Sequence, residues 1–425
     1  METLQPLLFL AHRLPYPPTK GDKVRSHHWL RHLARRYRVT LGSFIDDPVD
    51  WQHVQELRSL CGEIHVAPIV PWKKRIRSVE GFLGGEPLTL PYFRSGALRE
   101  WIRDVVRRER IERAFVYSSS MAQYVLDLPR VRSIVDFVDL DSAKWADYAQ
   151  RKPWPVSALY RREARRLLAF ERAVAARVEA SLFVTPEEAR LLSAAAPECA
   201  SRIVAIENGV DSEYFSPSQG SASPFAAGEH PIVFTGTMNY WPNVDAVVWF
   251  AREILPLIRR HDERARFHIV GMNPDRSVRA LASDGAVDVT GRVVDVRPYL
   301  RHARAVVAPL RLARGVPNKV LEAMAMGRPT VVTRATATAL SARPGVDLEV
   351  ADDAAGVAAK VLAVMDPAAG ERMGRLARAR VVADYAWRSK FDQLDELLAR
   401  VDLPRPVSSL AEVPPLPASI AVSAR

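Results

Sequence analysis

The residues of this chain best suited to chemistry lie between 309 and 327, PLRLARGVPNKVLEAMAMG. A short β-branched run at 305–308 precedes them and reads as a buried parallel strand. Gly315 and Pro317 break that pattern, and Pro317 suits a helix start, where its missing N–H costs nothing. The spacing of Val320, Leu321, Ala323 and Met324 predicts a helix that Gly327 and Pro329 stop. The N–H groups at Asn318, Lys319 and Val320 then open onto a ligand, and the helix dipole favours an anion there. Lys319 adds a formal charge, with Arg311, Arg314 and Gly315 just upstream. Glu322 lies one turn further along the face of Lys319, placed to accept hydrogen bonds from sugar hydroxyls. A phosphate subsite beside a diol subsite describes a nucleotide. The same residues also fit a basic turn followed by a helix with a solvated glutamate.

Other strand-to-helix turns carry candidates too. His12 to Arg25 follows the first apolar run. Lys20, Lys23 and Arg25 supply charge there, Gly21 allows close backbone approach to a ligand, and His12 is a candidate catalytic residue. Asp136, Asp139 and Asp141 follow a later strand. The Asp139-x-Asp141 spacing occurs in metal sites, but a hard cation needs more oxygen ligands. Lys20, Arg25, Asp139 and Asp141 are candidates to bind hydroxyl groups of a substrate, and capping of the following helix by Asp141 is the other reading. Asn208-Gly209 is a strong turn signal, read as closing the first domain. Gly236 and Thr237 form another glycine turn before a Pro-started helix, and Arg292 follows Gly291 in a similar position.

These turns need elements to position them. Apolar runs at 7–11, 39–44, 64–68, 114–117, 133–137, 180–184 and 203–206 alternate with helical patterns, including 22–36 and 51–60. A second series has runs at 232–234, 267–270, 287–289, 305–308 and 330–332. Its helices fall at 242–260, 353–365, 369–384 and 387–401. In the first of them Val244, Val247, Val248, Ala251, Ile254 and Leu255 have core spacing. Strands alternating with helices predict an α/β chain of two Rossmann-like domains on doubly wound parallel sheets, facing a central cleft. The expected division is 1–215, a Ser/Gly/Pro-rich linker at 216–230, 231–385, a C-terminal helix at 386–401, and a disordered tail at 402–425.

The 425 residues are 48% hydrophobic, enough for two cores. Cys61 and Cys199 are too few for a disulfide framework or a zinc site, which fits a reducing cytoplasm. No apolar run reaches the length of a membrane span. A net charge of +11 points to anionic partners. Trp72, Lys73, Lys74, Arg75, Ile76 and Arg77, with Phe82 and Leu83 behind, form one basic-aromatic cluster. Arg151, Lys152, Arg161, Arg162, Arg165 and Arg166, with Trp154 and Tyr160, form another. Both suit peripheral contact with an anionic inner membrane.

The stretch around Glu322-Ala323-Met324-Ala325 resembles the donor-binding segment of retaining GT-B glycosyltransferases of family 4 (glycosyl transferases group 1), closest to the PEP-CTERM/exosortase-associated subgroup. The resemblance covers about 4–400. It implies a GT-B fold whose first domain binds the acceptor, whose second binds a nucleoside diphosphate sugar, and whose helix at 386–401 crosses back to the first domain. It implies that Glu322 holds the ribose, that Lys319, Arg314, Gly236 and Thr237 hold the diphosphate, and that backbone near Arg292 meets the base. The earlier glutamate of the family motif, which faces the donor sugar, is replaced by Arg314. The Arg and Lys that many members place after the Gly236 position are also missing, so Arg311 and Arg314 are expected to supply that charge. Lys319, Arg314, Glu322 and His12 are the catalytic candidates. By resemblance the leaving diphosphate is neutralised without a metal, no cofactor is required, and the acceptor is a lipid-linked glycan in exopolysaccharide assembly. A sugar-nucleotide epimerase of the same fold is the alternative. A nucleic-acid binder is disfavoured, because no RNA or DNA module is recognisable.

Overall fold

The computed structural model describes residues 4–18, 21–69, 85–150, 152–218, 220–283, 285–313 and 316–401. Its contacts group into two units. One runs to Glu207 and takes up the chain again at Phe391, and the other spans Asn208–Lys390.

The first unit carries a seven-stranded sheet of β1 (Pro6–Ala11), β2 (Arg38–Ile45), β3 (Glu63–Pro68), β4 (Arg113–Tyr117), β5 (Arg132–Val138), β6 (Ala180–Phe183) and β7 (Ile203–Ala205). The strand order is β3-β2-β1-β4-β5-β6-β7, and every pairing is parallel. Parallel neighbours need crossovers. Helices α1 (Gly21–Leu33), α2 (Gly96–Arg108), α3 (Asp141–Gln150), α4 (Val156–Ala175) and α5 (Pro186–Ala195) lie on the connections that leave β1, β3, β5 and β6. Leu8, Leu10, Phe44, Val116, Phe137 and Phe183 from the strands pack with Leu98, Ile102, Leu167 and Phe170 from the helices. The helix expected at 51–60 is instead a 3-10 turn, Pro48–His53, followed by a short helix, Val54–Leu57. Asp47 caps the 3-10 turn by accepting from the Val49 N–H, which starts the winding earlier than the apolar pattern implies.

The second unit carries a six-stranded sheet of β8 (His230–Thr235), β9 (Ala265–Val270), β10 (Val287–Gly291), β11 (Ala305–Ala308), β12 (Thr330–Val332) and β13 (Glu349–Val350). The order is β10-β9-β8-β11-β12-β13, again all parallel. Ile232, Phe234, Phe267, Ile269 and Val307 enter one cluster, while Val233, Val270 and Val306 enter another. Successive residues of a strand face opposite ways, so this sheet is covered on both faces.

Its helices include α6 (Trp241–Trp249), α7 (Asn318–Ala325), α8 (Ala354–Met365) and α9 (Pro367–Asp384). The helical run expected at 242–260 is continuous, but Phe250–Ile254 is a π turn between α6 and a short helix, Leu255–Arg259. Pro256 has no N–H for the carbonyl one turn back, and a wider turn accommodates that loss. Helix α10 (Trp387–Val401) begins in the second unit, and from Phe391 its residues group with the first. There the Phe391 ring stacks on His32 at 4.2 Å, and Asp395 accepts from His32 at 2.8 Å.

The Asn208–Gly209 turn groups with the second unit. Asn208 Nδ2 donates to Asn318 Oδ1 at 3.3 Å, and Val210 bridges Ala386. From the expected linker, the Phe225 ring lies 4.5 Å from His268 and 5.8 Å from Tyr299, within the second unit.

Candidate active site

In a doubly wound sheet, ligands bind beyond the carboxyl ends of the strands where the order reverses. In the second unit that place lies between β8 and β11. β8 runs into Gly236 and β11 into the loop before α7, so the topology brings two of the sequence candidates together.

Lys319 is the centre of the arrangement. Its Nζ donates to Asn243 Oδ1 at 2.6 Å and stands 3.9 Å from the centre of the Phe234 ring. Asn243 Nδ2 in turn donates to the Thr237 carbonyl at 2.9 Å. The ammonium is thus fixed over the end of β8 by an amide, a ring face and a backbone turn. A Cβ at Gly236 would lie 2.8 Å from both Lys319 Nζ and Asn243 Nδ2. Glycine at 236 therefore makes room for the lysine. Gly271, after β9, repeats the device: its Cβ would lie 1.7 Å from the Gly236 carbonyl oxygen, at a φ of +154°.

Burial lowers the Lys319 pKa to about 7, with Glu322 acting against the shift. Burial raises the Glu322 carboxyl to about 7, opposed by Lys319. Neither charge is fully stabilised by the protein alone, so an anion over Lys319 and hydroxyl donors at Glu322 would each complete a pair. Tyr214 lies within electrostatic reach of Glu322. Its phenol is pushed up by burial and by Asp295, with Arg297 acting oppositely and Glu322 adding to the rise. The Arg297 guanidinium stacks over the Tyr214 ring at 3.9 Å, and Asp295 accepts from it.

Two expectations at this site are corrected. The Val320 N–H donates to the Pro317 carbonyl at 2.9 Å, because the first turn of α7 is tight, and its side chain is buried. The N–H groups of Asn318 and Lys319 precede that bond and remain the ones placed for an anion. Arg311 was expected to stand in for the missing phosphate charge. Its Nε instead donates to Asp245 Oδ2 at 2.9 Å, and its guanidinium lies 5.4 Å from the centre of the Trp249 ring. Asn243 and Asp245 are two residues apart on one helix and face different ways, so Arg311 and Lys319 are held on different flanks of α6. Arg314, Gly315 and Lys20 lie outside the described residues. Arg292 is exposed just beyond Gly291, at the carboxyl end of the edge strand β10.

In the first unit the order reverses between β1 and β4. His12 follows β1, stacks on Tyr117 at 5.8 Å and meets Phe93 edge-on at 5.7 Å. Gly21 opens α1. Arg25 does not face a ligand. Its guanidinium is 1% exposed and its Nε donates to the buried Asp136 at 2.7 Å. Asp136 also accepts from Trp29 Nε1 at 2.8 Å and from the Val138 N–H at 3.1 Å. An unpaired carboxylate inside the sheet would be very costly, and Arg25 is the cation that reaches it. The bonds hold Val138 at a φ of +71°, a conformation a β-branched residue rarely adopts.

That strained residue aims the following acidic loop. Lys144 Nζ lies 2.6 Å from Asp139 and 3.2 Å from Asp141. Burial raises the Asp141 carboxyl above its usual range, with Lys144 acting against the rise and Asp139 adding to it. Two buried glutamates that no motif marks in the sequence support the loop. Glu188 accepts from the Leu140 N–H at 2.7 Å, and Glu171 accepts from the Ser142 N–H at 3.4 Å. Burial pushes Glu171 up to about 8.

Residues 229–366 match the family model of glycosyl transferases group 1. No curated protein matches the chain. Among solved structures, sucrose-phosphate synthase from Thermosynechococcus elongatus superposes with a TM-score of 0.68 at 16% identity, covering 93% of this chain and 99% of that one. Alr3699/HepE from Anabaena, in complex with UDP-glucose, gives a TM-score of 0.65 at 14% identity, with 93% and 99% covered. The α,α-trehalose 6-phosphate synthase of Burkholderia multivorans gives 0.62 at 10% identity, with 94% and 99% covered. Among the described residues no helix is long and apolar enough to cross a membrane. Residues 229–366 thus form a glycosyl transferases group 1 domain, the two parallel-sheet units have the GT-B fold, and the chain is a glycosyltransferase.

Proposed function

We propose that the second unit binds a nucleoside diphosphate sugar and that the enzyme transfers the sugar, with retention, to a lipid-linked glycan in exopolysaccharide assembly, as a family 4 enzyme of the PEP-CTERM-associated type. The observation that carries the donor assignment is the Lys319 ammonium held against Gly236, with Glu322 one turn further along α7. Lys319, the first N–H groups of α7 and Arg314 take the diphosphate. Glu322 takes the ribose diol. As the glycosidic bond breaks, negative charge grows on the leaving phosphate, and a cation fixed there beforehand stabilises that charge most in the transition state. The reaction needs no metal or other cofactor in this reading. Solved structures of the same fold with UDP and UDP-glucose make uridine nucleotides the first donors to test.

His12, Lys20, Asp139 and Asp141 are assigned to the acceptor, with His12 the candidate to exchange a proton with its hydroxyl. Trp154 is 80% exposed just before α4, and Arg161, Arg165 and Arg166 are exposed along that helix. That surface suits an anionic leaflet presenting a lipid-linked acceptor. The cluster at 72–77, Phe82, Leu83 and Arg151 lie outside the described residues.

A thermal-shift screen of nucleoside diphosphate sugars tests the donor assignment, since a ligand that binds only the folded state stabilises it. The expected result is stabilisation by at least one of them, lost in Lys319→Met. Stabilisation that persists in both Lys319→Met and Glu322→Gln would overturn it. Conversion of a donor to another sugar nucleotide without an acceptor would show an epimerase instead. For the membrane, sedimentation with anionic liposomes that falls with salt and with neutralised Arg161, Arg165 and Arg166 is expected. Equal sedimentation with neutral liposomes, or none with either, would remove the membrane role.

A further inference from the structure

On the flank of α6 that faces away from Lys319 lies a concavity of about 310 Å³. Trp241 and Trp249 line it, with Asp245 between them, and Arg252, Glu253 and Arg311 close it. The helical residues recur at one-turn intervals and so share a face. Trp241 is 57% exposed, so much of its side chain is open to a ligand. Val244 and Val248, which helical spacing assigns to the core, are only half-buried and form part of the lining. The π turn at Phe250–Ile254 falls here and sets Arg252 and Glu253 beside Trp249. Such turns are frequent at functional sites, and the missing N–H of Pro256 accounts for this one's position.

We propose that this concavity is a second binding site, for a neutral saccharide unit of a glycan chain, separate from the donor site and independent of the reaction assigned above. A pyranose has an apolar face of C–H groups and a rim of hydroxyls. The indole of Trp241 offers a flat apolar platform for the face. The rim needs donors and acceptors held in fixed directions, and the side chains provide both. Arg311 spends Nε and Nη2 on Asp245, and a guanidinium has five N–H groups, so donors remain. Glu253 accepts from Trp249 Nε1 at 3.2 Å through Oε2 and keeps its other oxygen for a hydroxyl. Because these groups are already held by one another, little freedom is lost when a ligand arrives.

Charge selects the occupant. Asp245 and Glu253 balance Arg252 and Arg311, so the site favours neither a phosphate nor a basic peptide. A volume near 310 Å³ lies at the lower end for small-molecule sites, the scale of one or two sugar units. Arg311 belongs to the loop between β11 and α7, so a glycan held here lies alongside the segment that carries Lys319.

Saturation-transfer NMR with a panel of neutral sugars tests the proposal. The panel is glucose, galactose, mannose, N-acetylglucosamine and linear cello- and malto-oligosaccharides. At least one should show transfer to its ring C–H protons. Trp241→Ala should lower that affinity about tenfold, the loss of one aromatic contact, while Trp241→Phe retains most of it. Arg311→Gln should also weaken it. Lys319→Met, which removes the donor cation, should leave the signal intact, as should saturating UDP. Three results would overturn the site: no transfer to any sugar of the panel, transfer unchanged by Trp241→Ala, or displacement of the sugar by UDP. A change of oligomeric state in Trp241→Ala, read by size exclusion, would instead assign the face to a second copy of the chain. If UDP-sugars fail to bind but the saccharide signal stands, the donor reading alone falls.

Discussion

Donor binding should have a bell-shaped dependence on pH, centred near neutrality and set by two residues. In the free protein Lys319 and Glu322 both titrate near 7 because burial works against each charge. A bound diphosphate raises the lysine pKa, since the anion favours the ammonium. The lysine contribution is then fully present below the free-state value near 7 and is lost as pH rises from there through the raised bound-state value. Ribose hydroxyls donating to Glu322 favour the carboxylate and lower its pKa. That contribution is fully present above the free-state value near 7 and is lost as pH falls from there through the lowered bound-state value. Each limb should approach a slope of about tenfold in Kd per pH unit, or about 1.4 kcal/mol. The two residues are neighbours on one helix face, so the limbs report the pair and not isolated groups. Isothermal calorimetry with a nucleoside diphosphate sugar, over about two units either side of neutrality, measures the curve. A diphosphate sugar is preferred to a free nucleoside diphosphate, whose terminal phosphate itself titrates near pH 6. In buffers of differing ionisation heat, binding should take up protons on the alkaline side and release them on the acid side. Lys319→Met should flatten the alkaline limb and Glu322→Gln the acid limb. Each should also weaken binding at pH 7 by about 1.5–3 kcal/mol, the worth of a hydrogen bond to a charged group. A Kd constant across this range, or an alkaline limb surviving in Lys319→Met, would refute the reasoning.

Gly236→Ala should displace the Lys319 ammonium, because the new Cβ would lie 2.8 Å from it. The expected result is weaker donor binding together with some loss of thermal stability, because Gly236 has a φ of +155° that alanine rarely adopts, and unchanged affinity would separate Gly236 from the site. Arg25→Met leaves the Asp136 carboxylate buried without its cation and should destabilise the first unit by about 3–5 kcal/mol in denaturant melts. A loss below 1 kcal/mol, an order-of-magnitude bound typical of surface pairs, would show the pair to be unimportant. Glu171 has a folded-state pKa raised to about 8, so the unfolded chain releases its proton first and stability falls as pH rises between the unfolded carboxyl range and 8. Glu171→Gln should remove that slope, at most about 1.4 kcal/mol per pH unit, and an unchanged slope in stability-versus-pH measurements would place the titration elsewhere.

The sequence by itself determined the two α/β series and the turns that matter, because the relevant physics is local. A β-branched run such as 305–308 is specified by its own residues. A glycine after a strand, or a proline at a helix start, restricts its own backbone. For that reason Gly236, Lys319 and Glu322 were legible, together with the helix that carries two of them. Which partner each charge would find was not local. Arg25 and Asp136 are 111 positions apart, and Arg311 and Asp245 are 66 apart. A basic residue at a helix start reads the same in sequence whether it faces a ligand or neutralises a buried carboxylate, and only the packing of α1 on β5 decided in favour of the carboxylate. Glu171 and Glu188 looked like ordinary residues of amphipathic helices until the fold placed them beneath the Asp139 loop. The two strands flanking Lys319, β8 and β11, are neighbours only because the second sheet reverses its order there. The tertiary structure thus made one site of motifs that the chain carries far apart, since a buried charge takes whichever opposite charge the fold brings within reach.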